Sequence, residues 1–292
     1  MIILDGKKTA ENIRRNIKLV IDQGFLRKPG LAFILIGDHS ASKTYVNMKS
    51  KACLEVGILS KVIRLKESTP QLELAKVIHE LNYDSSIDGI LIQQPFPKHL
   101  DAVKVLHSID PAKDVDGFHA LNLGKMLMQD DTGFIPCTPL GILELLKAYN
   151  LNLDGKNVVV LGRSLIVGRP IANLLSQKRP FCNATVTICH SGSENLNSIT
   201  KTADVLIAAV GISNFIKKSM IKQGCIIIDV GINRIQKDGN LILTGDVDFE
   251  DVAQSTSAIT PVPGGVGPMT IAMLLQNTLK SFLLKHPQKL SS

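Results

Sequence analysis

The amino-acid sequence predicts an α/β protein of two domains. Three observations carry that prediction: the length and apolar content of the chain, two series of short apolar runs separated by helical patterns, and a loop-rich stretch between the series. At 292 residues there is room for about two domains of typical size. With 45% hydrophobic and 20% charged residues, the chain has material for a sizeable core and lacks the composition of a disordered one. Apolar runs joined by helices, without alternating polarity, mark strands buried on both faces and therefore a parallel sheet.

The first series opens with a helix over Lys7 to Gln23, where Ala10, Ile13, Ile17, Val20 and Ile21 share one face before Gly24. Leu31 to Ile36 reads as a strand stopping at Gly37, and a helix follows from Ala41 to Val56. Leu59 to Leu65 is extended, and Pro70 to Leu81 is helical, with Thr69 as cap and Pro70 at the first position. Ile87 to Ile92 is the next strand. From Asp110 to Pro139 the regularity lapses among Pro111, Gly117, Gly133 and Pro136, and the domain connection is placed there. The second series has strands at Val158 to Gly162, Ala184 to Ile188, Val205 to Val210 and Cys225 to Val230, a Rossmann-like order. A last long helix begins after Pro268 and runs through Phe282 and Leu283. No internal repeat or low-complexity tract is present.

Composition narrows the function. The 33 lysines and arginines against 26 acidic residues leave a formal charge of +7, spread along the chain without basic runs, which suits small anionic ligands at least as well as nucleic acid. Aromatic residues are 4% with no tryptophan, so stacking platforms for single-stranded nucleic acid are few. Cys53, Cys137, Cys182, Cys189 and Cys225 are odd in number and contain no CxxC pair, which points to reduced thiols in a cytosolic protein and away from a disulfide framework or structural zinc. No apolar run approaches the roughly 18 residues that span a bilayer, and no signal peptide or membrane anchor is expected.

Several segments could carry chemistry. Leu161-Gly162-Arg163-Ser164, running to Gly168-Arg169-Pro170, is a glycine turn between a strand and a helix, where backbone N–H groups can approach a phosphate. Ser164 stands where GxGxxG has its second glycine, and Gly168 comes one position late, so a plain strand–turn–helix with exposed arginines stays open. The next strand leads into Cys189-His190-Ser191-Gly192-Ser193 without the acidic residue that usually holds the ribose of NAD. With Arg163 and Arg169 in the turn, that favours NADP.

In the first series Tyr45 and Lys49 lie four apart on one helix and share a face. The helix follows the carboxyl end of a strand, where open α/β sheets bind ligands, and Gln93-Gln94-Pro95-Phe96-Pro97 opens at the same edge. Otherwise Lys49 is a solvated helix lysine and Gln93 an ordinary turn residue. Asp114-Val115-Asp116-Gly117 lacks the histidines or EF-hand spacing of a metal site and reads as a turn with one buried and one exposed aspartate. If Asp116 faces the crevice, its carboxylate can accept paired hydrogen bonds from an amino-heterocycle such as a pterin. The loop Pro261 to Thr270, with Gly264, Gly265, Gly267 and Pro268, suggests close backbone approach to a ligand, although a helix-entry loop explains much of it.

Together these segments closely resemble the bifunctional methylenetetrahydrofolate dehydrogenase/methenyltetrahydrofolate cyclohydrolase family. The matching motifs are Tyr45-x-x-x-Lys49, Gln93 to Pro97, Pro111 to Phe118, Pro136-Cys137-Thr138-Pro139, Gly162-Arg163-Ser164, Ala184 to Ser191, Asp229 to Asn233, Gly245 to Phe249 and Pro261 to Thr270. They stand in family order over nearly the whole chain. The resemblance implies a cytoplasmic homodimer with a catalytic domain over 1–118, completed by the C-terminal helix 268–286, and an NADP domain over 119–267. It implies Lys49 as catalytic residue with Tyr45 and Gln93 in support, Tyr45, Gln93, Asp116, Gly264, Gly265 and Pro268 on the folate substrate, and Gly162, Arg163, Ser164, Ser191 and Ile232 on NADP. No metal is required. Gln94 departs from the usual leucine, Ser213 from a proline and Ser193 from threonine, and the Gln177 to Cys182 stretch is slightly lengthened. The chain is too short for the formate-ligase domain of trifunctional relatives.

The implied chemistry is oxidation of 5,10-methylenetetrahydrofolate to the methenyl cation, which needs chiefly alignment of two rings. Hydrolysis to 10-formyltetrahydrofolate then needs a group of suitable pKa, assigned to Lys49 with its pKa lowered by partial burial. Two rivals stand beside this reading: an NAD(P)-dependent dehydrogenase of another small substrate, and a ligand-sensing or basic nucleic-acid-binding module. Whether tetrahydrofolates bind separates the first, and a non-catalytic module would not need Lys49, Gln93 and Asp116 together at one sheet edge.

Overall fold

In the computed structural model, which describes residues 1–237 and 240–286, strands and helices alternate along both halves of the chain. The strands are β1 (Ile2–Ile3), β2 (Gly30–Ile36), β3 (Leu59–Leu65), β4 (Gly89–Ile92), β5 (Asn157–Leu161), β6 (Thr185–Cys189), β7 (Val205–Ala208), β8 (Cys225–Asp229), β9 (Asn233–Lys237), β10 (Asn240–Thr244) and β11 (Thr256–Ile259). The helices are α1 (Gly6–Ile21), α2 (Ser40–Val56), α3 (Gln71–Tyr83), α4 (Ala102–His107), α5 (Ala120–Leu127), α6 (Cys137–Ala148), α7 (Gly168–Ser176), α8 (Leu196–Thr200), α9 (Phe249–Val252) and α10 (Val266–Lys285).

Two compact units result. Residues 12–137 with 271–286 form one, around the parallel sheet β3-β2-β4; residues 1–11 with 138–270 form the other, around the sheet β1-β11-β8-β7-β5-β6, parallel at every pairing. By compactness the chain crosses after Glu11, after Cys137 and after Thr270, whereas the sequence motifs draw their lines after Phe118 and before Pro268. The reason is long-range pairing. Ile2 and Ile3 extend the larger sheet beside β11, which assigns the first residues to that unit.

In the smaller sheet every residue of β2 is buried, as its unbroken apolar run requires. Ala32, Ile34 and Ile36 join Ile90 and Ile92 against Leu74, Ile78 and Leu81 of α3. Each large side chain among them contributes about 1.5–3 kcal/mol by leaving water. The start of α3 corrects the expected cap: Pro70 holds the extended N-cap position and the helix begins at Gln71. Thr69 is buried, its carbonyl engaged by His99 Nε2 at 2.9 Å.

The 110–139 stretch is also more ordered than its glycines and prolines suggest, because it contains α5. The cause is Asp114, 1% exposed, which accepts the backbone N–H groups of Gly117, Phe118 and His119 and the Asn122 amide at 2.8–3.2 Å. Burial nevertheless pushes its carboxyl up to about 6. At the other chain end, α10 begins at Val266 and not after Pro268. Pro268 therefore sits in the first turn, where a missing N–H has no intrahelical partner to lose.

The larger sheet orders its second-series strands β6-β5-β7-β8, which puts the switch in winding between β5 and β7. Its core gathers Val159, Leu161, Leu206, Ala208, Ile227 and Ile259 from four strands. The antiparallel pair β9 and β10 is absent from the elements expected of the sequence. Beyond the strand ends the chain is held by two buried carboxylates. Asp229 accepts the N–H groups of Gly231, Asp246 and Val247, each at 2.9 Å. Asp246 accepts those of Val210 at 2.6 Å and Gly211 at 2.9 Å, and the Asn233 amide at 2.9 Å. Side chains have no room inside this cage: a Cβ on Gly245 would lie 1.8 Å from Asp229 Oδ2, and one on Gly231 2.2 Å from Asp246 Oδ1.

Asp229→Asn turns one of these acceptors into a donor facing an N–H, so urea denaturation of the variant is expected to show a loss of about 1–3 kcal/mol. The carboxyl of Asp229 is raised to about 6 by burial from its ordinary 3.8. Its contribution to stability is therefore full below about pH 4 and lost as pH rises through about 6, and Asp229→Asn removes that part of the pH dependence.

Candidate active site

Each unit assembles one group of the expected site residues. In the smaller-sheet unit the β2 strand ends at Ile36, and the positive φ of 79° at Gly37 turns the chain towards α2. Helical spacing then sets Tyr45, Lys49 and Cys53 on one face of α2. The neighbouring strand β4 ends at Ile92, and Gln93 comes next with its N–H bonded to Ile34 O at 2.9 Å. Its side chain reaches the helix: Lys49 Nζ donates to Gln93 Oε1 at 3.0 Å. Gln93 Nε2 in turn donates to Gln94 O at 2.7 Å, which orients the amide so that its oxygen meets the lysine.

Asp116 completes this group. It is half-buried, two residues beyond Asp114, and its backbone is pinned because a Cβ on Gly117 would lie 2.7 Å from Pro136 N. Burial lowers the Lys49 ammonium below the ordinary lysine value, while Asp116, Cys137 and Cys53 pull it back up. Burial likewise raises the Asp116 carboxyl, which Lys49 holds down. The buried Cys137 thiol is raised well above its usual range. A lysine whose ammonium is disfavoured by burial gives up its proton more readily than an exposed one, as a proton-transfer role requires. The neighbouring Lys113 is different: it is buried, its Nζ donates to Leu81 O and Asp84 O at 2.8 Å, and it serves the fold.

In the larger-sheet unit the glycine turn lies at the switch point. A Cβ on Gly162 would stand 2.2 Å from Ala209 O at the end of β7, and one on Gly168 2.1 Å from Gly162 O. Gly168 thus allows close strand–helix approach despite its late position. Ser164 Oγ accepts from Val167 N at 3.1 Å and Gly168 N at 3.3 Å, closing the turn at the start of α7. Arg163 and Arg169 are exposed. After β6, Ser193 Oγ accepts from His190 N at 3.0 Å and leaves Ser191 exposed at the tip of a turn without a carboxylate. Ile232 is 49% exposed beside the Asp229–Asp246 cage. A cradle without Cβ atoms, a helix N-terminus and two exposed guanidinium groups fit a phosphorylated dinucleotide.

Gly264, Gly265 and Pro268 belong to this same unit, apart in the chain's division from Lys49, Gln93 and Asp116. Their loop is drawn tight: Gly264 has φ 110°, Gly265 N donates to Pro261 O at 2.8 Å, and Lys7 N donates to Gly264 O at 2.9 Å. Among the described residues no group of three His, Cys, Asp or Glu is arranged to hold a metal ion.

Comparison with known proteins agrees with the two-part α/β fold. The family model described as the tetrahydrofolate dehydrogenase/cyclohydrolase catalytic domain matches residues 4–116, and the one described as the NAD(P)-binding domain of the same family matches residues 136–286. The chain is 51% identical to the bifunctional protein FolD of Chloroherpeton thalassium over 290 residues, covering 97% of this chain and 98% of the relative. The crystal structure of the bifunctional enzyme FolD, methylenetetrahydrofolate dehydrogenase/cyclohydrolase, from Campylobacter jejuni superposes with a TM-score of 0.91 at 47% identity, covering 98% of this chain and 99% of that one. The Trypanosoma brucei methylenetetrahydrofolate dehydrogenase-cyclohydrolase, complexed with NADP cofactor and inhibitor, gives 0.92 at 33% identity, covering 99% of both chains.

The electrostatic link between Lys49 and Asp116 has a measurable consequence. Asp116 raises the lysine's pKa, so Asp116→Asn is expected to lower it further. The midpoint of Lys49 acetylation against pH, followed by mass spectrometry, should fall in the variant; an unmoved midpoint contradicts the pairing.

Proposed function

The chain belongs to the tetrahydrofolate dehydrogenase/cyclohydrolase family, and we propose that one crevice around Lys49 serves both activities of this bifunctional one-carbon enzyme. It oxidises 5,10-methylenetetrahydrofolate to 5,10-methenyltetrahydrofolate with NADP and hydrolyses the product to 10-formyltetrahydrofolate. The observation that carries the assignment of roles is the hydrogen bond from Lys49 to Gln93 beside the Asp116 carboxylate. Of the readings the sequence left open, a dehydrogenase of another small substrate draws no support from the relatives.

NADP, when bound, would supply the hydride acceptor for the oxidation. Gly162, Arg163, Ser164, Ser191 and Ile232 are the residues assigned to hold it, the arginine supplying positive charge for phosphate and the glycine a backbone free of Cβ. Asp116 is assigned to the amino-pterin, whose adjacent N–H groups suit a carboxylate. Tyr45 and Gln93 line the same helix–strand edge, and Gly264, Gly265 and Pro268 are assigned to the substrate on their rigid loop.

Hydrolysis places a demand on Lys49. Water adds to the methenyl carbon, and the Lys49 amine accepts one of its protons. As the bond from that carbon to N5 breaks, its electron pair goes to N5 and the ammonium returns the proton there, while the remaining hydroxyl proton leaves to solvent. Two features keep enough amine available: burial disfavours the ammonium, and the cationic substrate disfavours it further. Gln93 Oε1 accepts from the lysine in either protonation state, so the nitrogen keeps its aim through the cycle.

Five buried free cysteines support a cytoplasmic setting, where thiols stay reduced. As part of the same reading, the formyl product is proposed to serve one-carbon supply, with purine, histidine and methionine biosynthesis as its expected outlets.

Lys49→Met tests the assignment. Loss of a general base is expected to reduce methenyltetrahydrofolate hydrolysis by about 10²–10⁴-fold, read from the decay of methenyl absorbance, with NADP binding unchanged. Full cyclohydrolase turnover in the variant would refute the role of Lys49. In the unaltered enzyme, the acidic limb of the cyclohydrolase profile should have its midpoint below the ordinary lysine value and rise with pH, since the neutral amine is the active form.

A further inference from the structure

Helix α10 is largely apolar where it packs, with Met273, Leu274, Leu275, Leu279 and Phe282 all buried. Asn277 interrupts this surface and is itself only 3% exposed. An amide in such a place is retained only if its donors are used. Both are: Asn277 Nδ2 donates to Val115 O at 2.9 Å and to Ile135 O at 3.1 Å, and lies 3.8 Å from Cys137 Sγ.

The two carbonyls matter because each lies just upstream of a group that acts on Lys49. Val115 immediately precedes Asp116, and Ile135 lies two residues before Cys137. Val115 O also accepts from the Cys137 thiol at 3.3 Å, and Cys137 N donates to Asp116 O at 3.4 Å. Gly117 packs directly on the Ile135–Pro136 peptide, with an added Cβ only 2.8 Å from Ile135 C. One amide therefore joins the two segments. Among the described residues no other side chain donates to both carbonyls.

We propose that Asn277 is a positioning residue for the reaction: its amide clamps the backbone just upstream of both Asp116 and Cys137 and so sets the carboxylate against Lys49 and the substrate. This rests on the roles proposed for Lys49 and Asp116. Asn277 acts on the carboxylate only through the backbone it holds at Val115 and Ile135.

Ser281 supplies the control, being one turn further along the same helix. Its Oγ lies 2.6 Å from Asp88 O and 2.7 Å from Ala112 O, so it ties α10 to the same unit without bonding to Val115 or Ile135. The groups acting on Lys49 are Asp116 and Cys137 from the clamped segments and Cys53 from its own helix. Only the first two are expected to respond to Asn277.

The experiment compares Asn277→Ala, Ser281→Ala and Asp116→Asn in the full chain. The readouts are the pH midpoint of Lys49 acetylation, KM and kcat with methylenetetrahydrofolate, and NADP affinity. For Asn277→Ala the midpoint should move down, as in Asp116→Asn, and the folate KM should rise about tenfold with NADP affinity unchanged. Ser281→Ala should leave all three at the wild-type values. If Asn277→Ala leaves midpoint and KM where Ser281→Ala leaves them, Asn277 is only a packing staple and the proposal is overturned. Should Asn277→Ala fail to fold, Asn277→Ser, which keeps one donor, is judged by the same readouts. If Asp116→Asn itself leaves the midpoint unmoved, the underlying reading fails and takes this proposal with it; movement in Asp116→Asn alone overturns the role of Asn277.

Discussion

Removing the Lys49 ammonium from water is the constraint around which the smaller-sheet unit is arranged. A buried charge costs several kcal/mol unless opposite charge and hydrogen bonds replace the lost hydration. The structure replaces only part of it. Gln93 gives one neutral acceptor and Asp116 a carboxylate that is itself penalised by burial, so lysine and aspartate are both displaced from their ordinary values towards neutrality. A fully compensated pair would have been more stable and less useful, because a lysine with its proton held firmly cannot take another from water.

Carboxylates elsewhere in the chain do the opposite work. Asp114, two residues before Asp116, commits its lone pairs to three backbone N–H groups and an asparagine amide. Asp229 and Asp246 do the same around the ends of β7 and β8. Each replaces missing backbone partners in a loop too sharply turned to pair with itself. Glycines recur beside them for a steric reason, since Gly231 and Gly245 sit where any Cβ would overlap a carboxylate oxygen. The rigidity of these loops therefore rests on buried aspartates whose lone pairs are already engaged by the chain.

Much of this was legible in the residues. The β2 run, the α2 spacing of Tyr45 and Lys49 and the glycine turn at Gly162 are local patterns, and the structure contains each of them. The helix starts at Gln71 and Val266 were less legible, because proline is compatible with several positions in a first turn and only the backbone angles choose among them. Helix α5 was hidden for another reason. Its order derives from Asp114 and Asn122, whose contacts give no periodic signal within an otherwise turn-rich segment.

The sequence by itself determined the fold class, the family and the identity of the groups that gather at the sheet edges, because these follow from apolar periodicity and from motifs a few residues long. Only the tertiary structure decided what each polar group does there. Lys49 meets Gln93 across 44 residues and Asn277 meets Val115 across 162, and no local pattern records such separations. The physical reason is that protonation and aim depend on how much water a group has lost and what replaced it, and both are properties of the folded surroundings rather than of the chain.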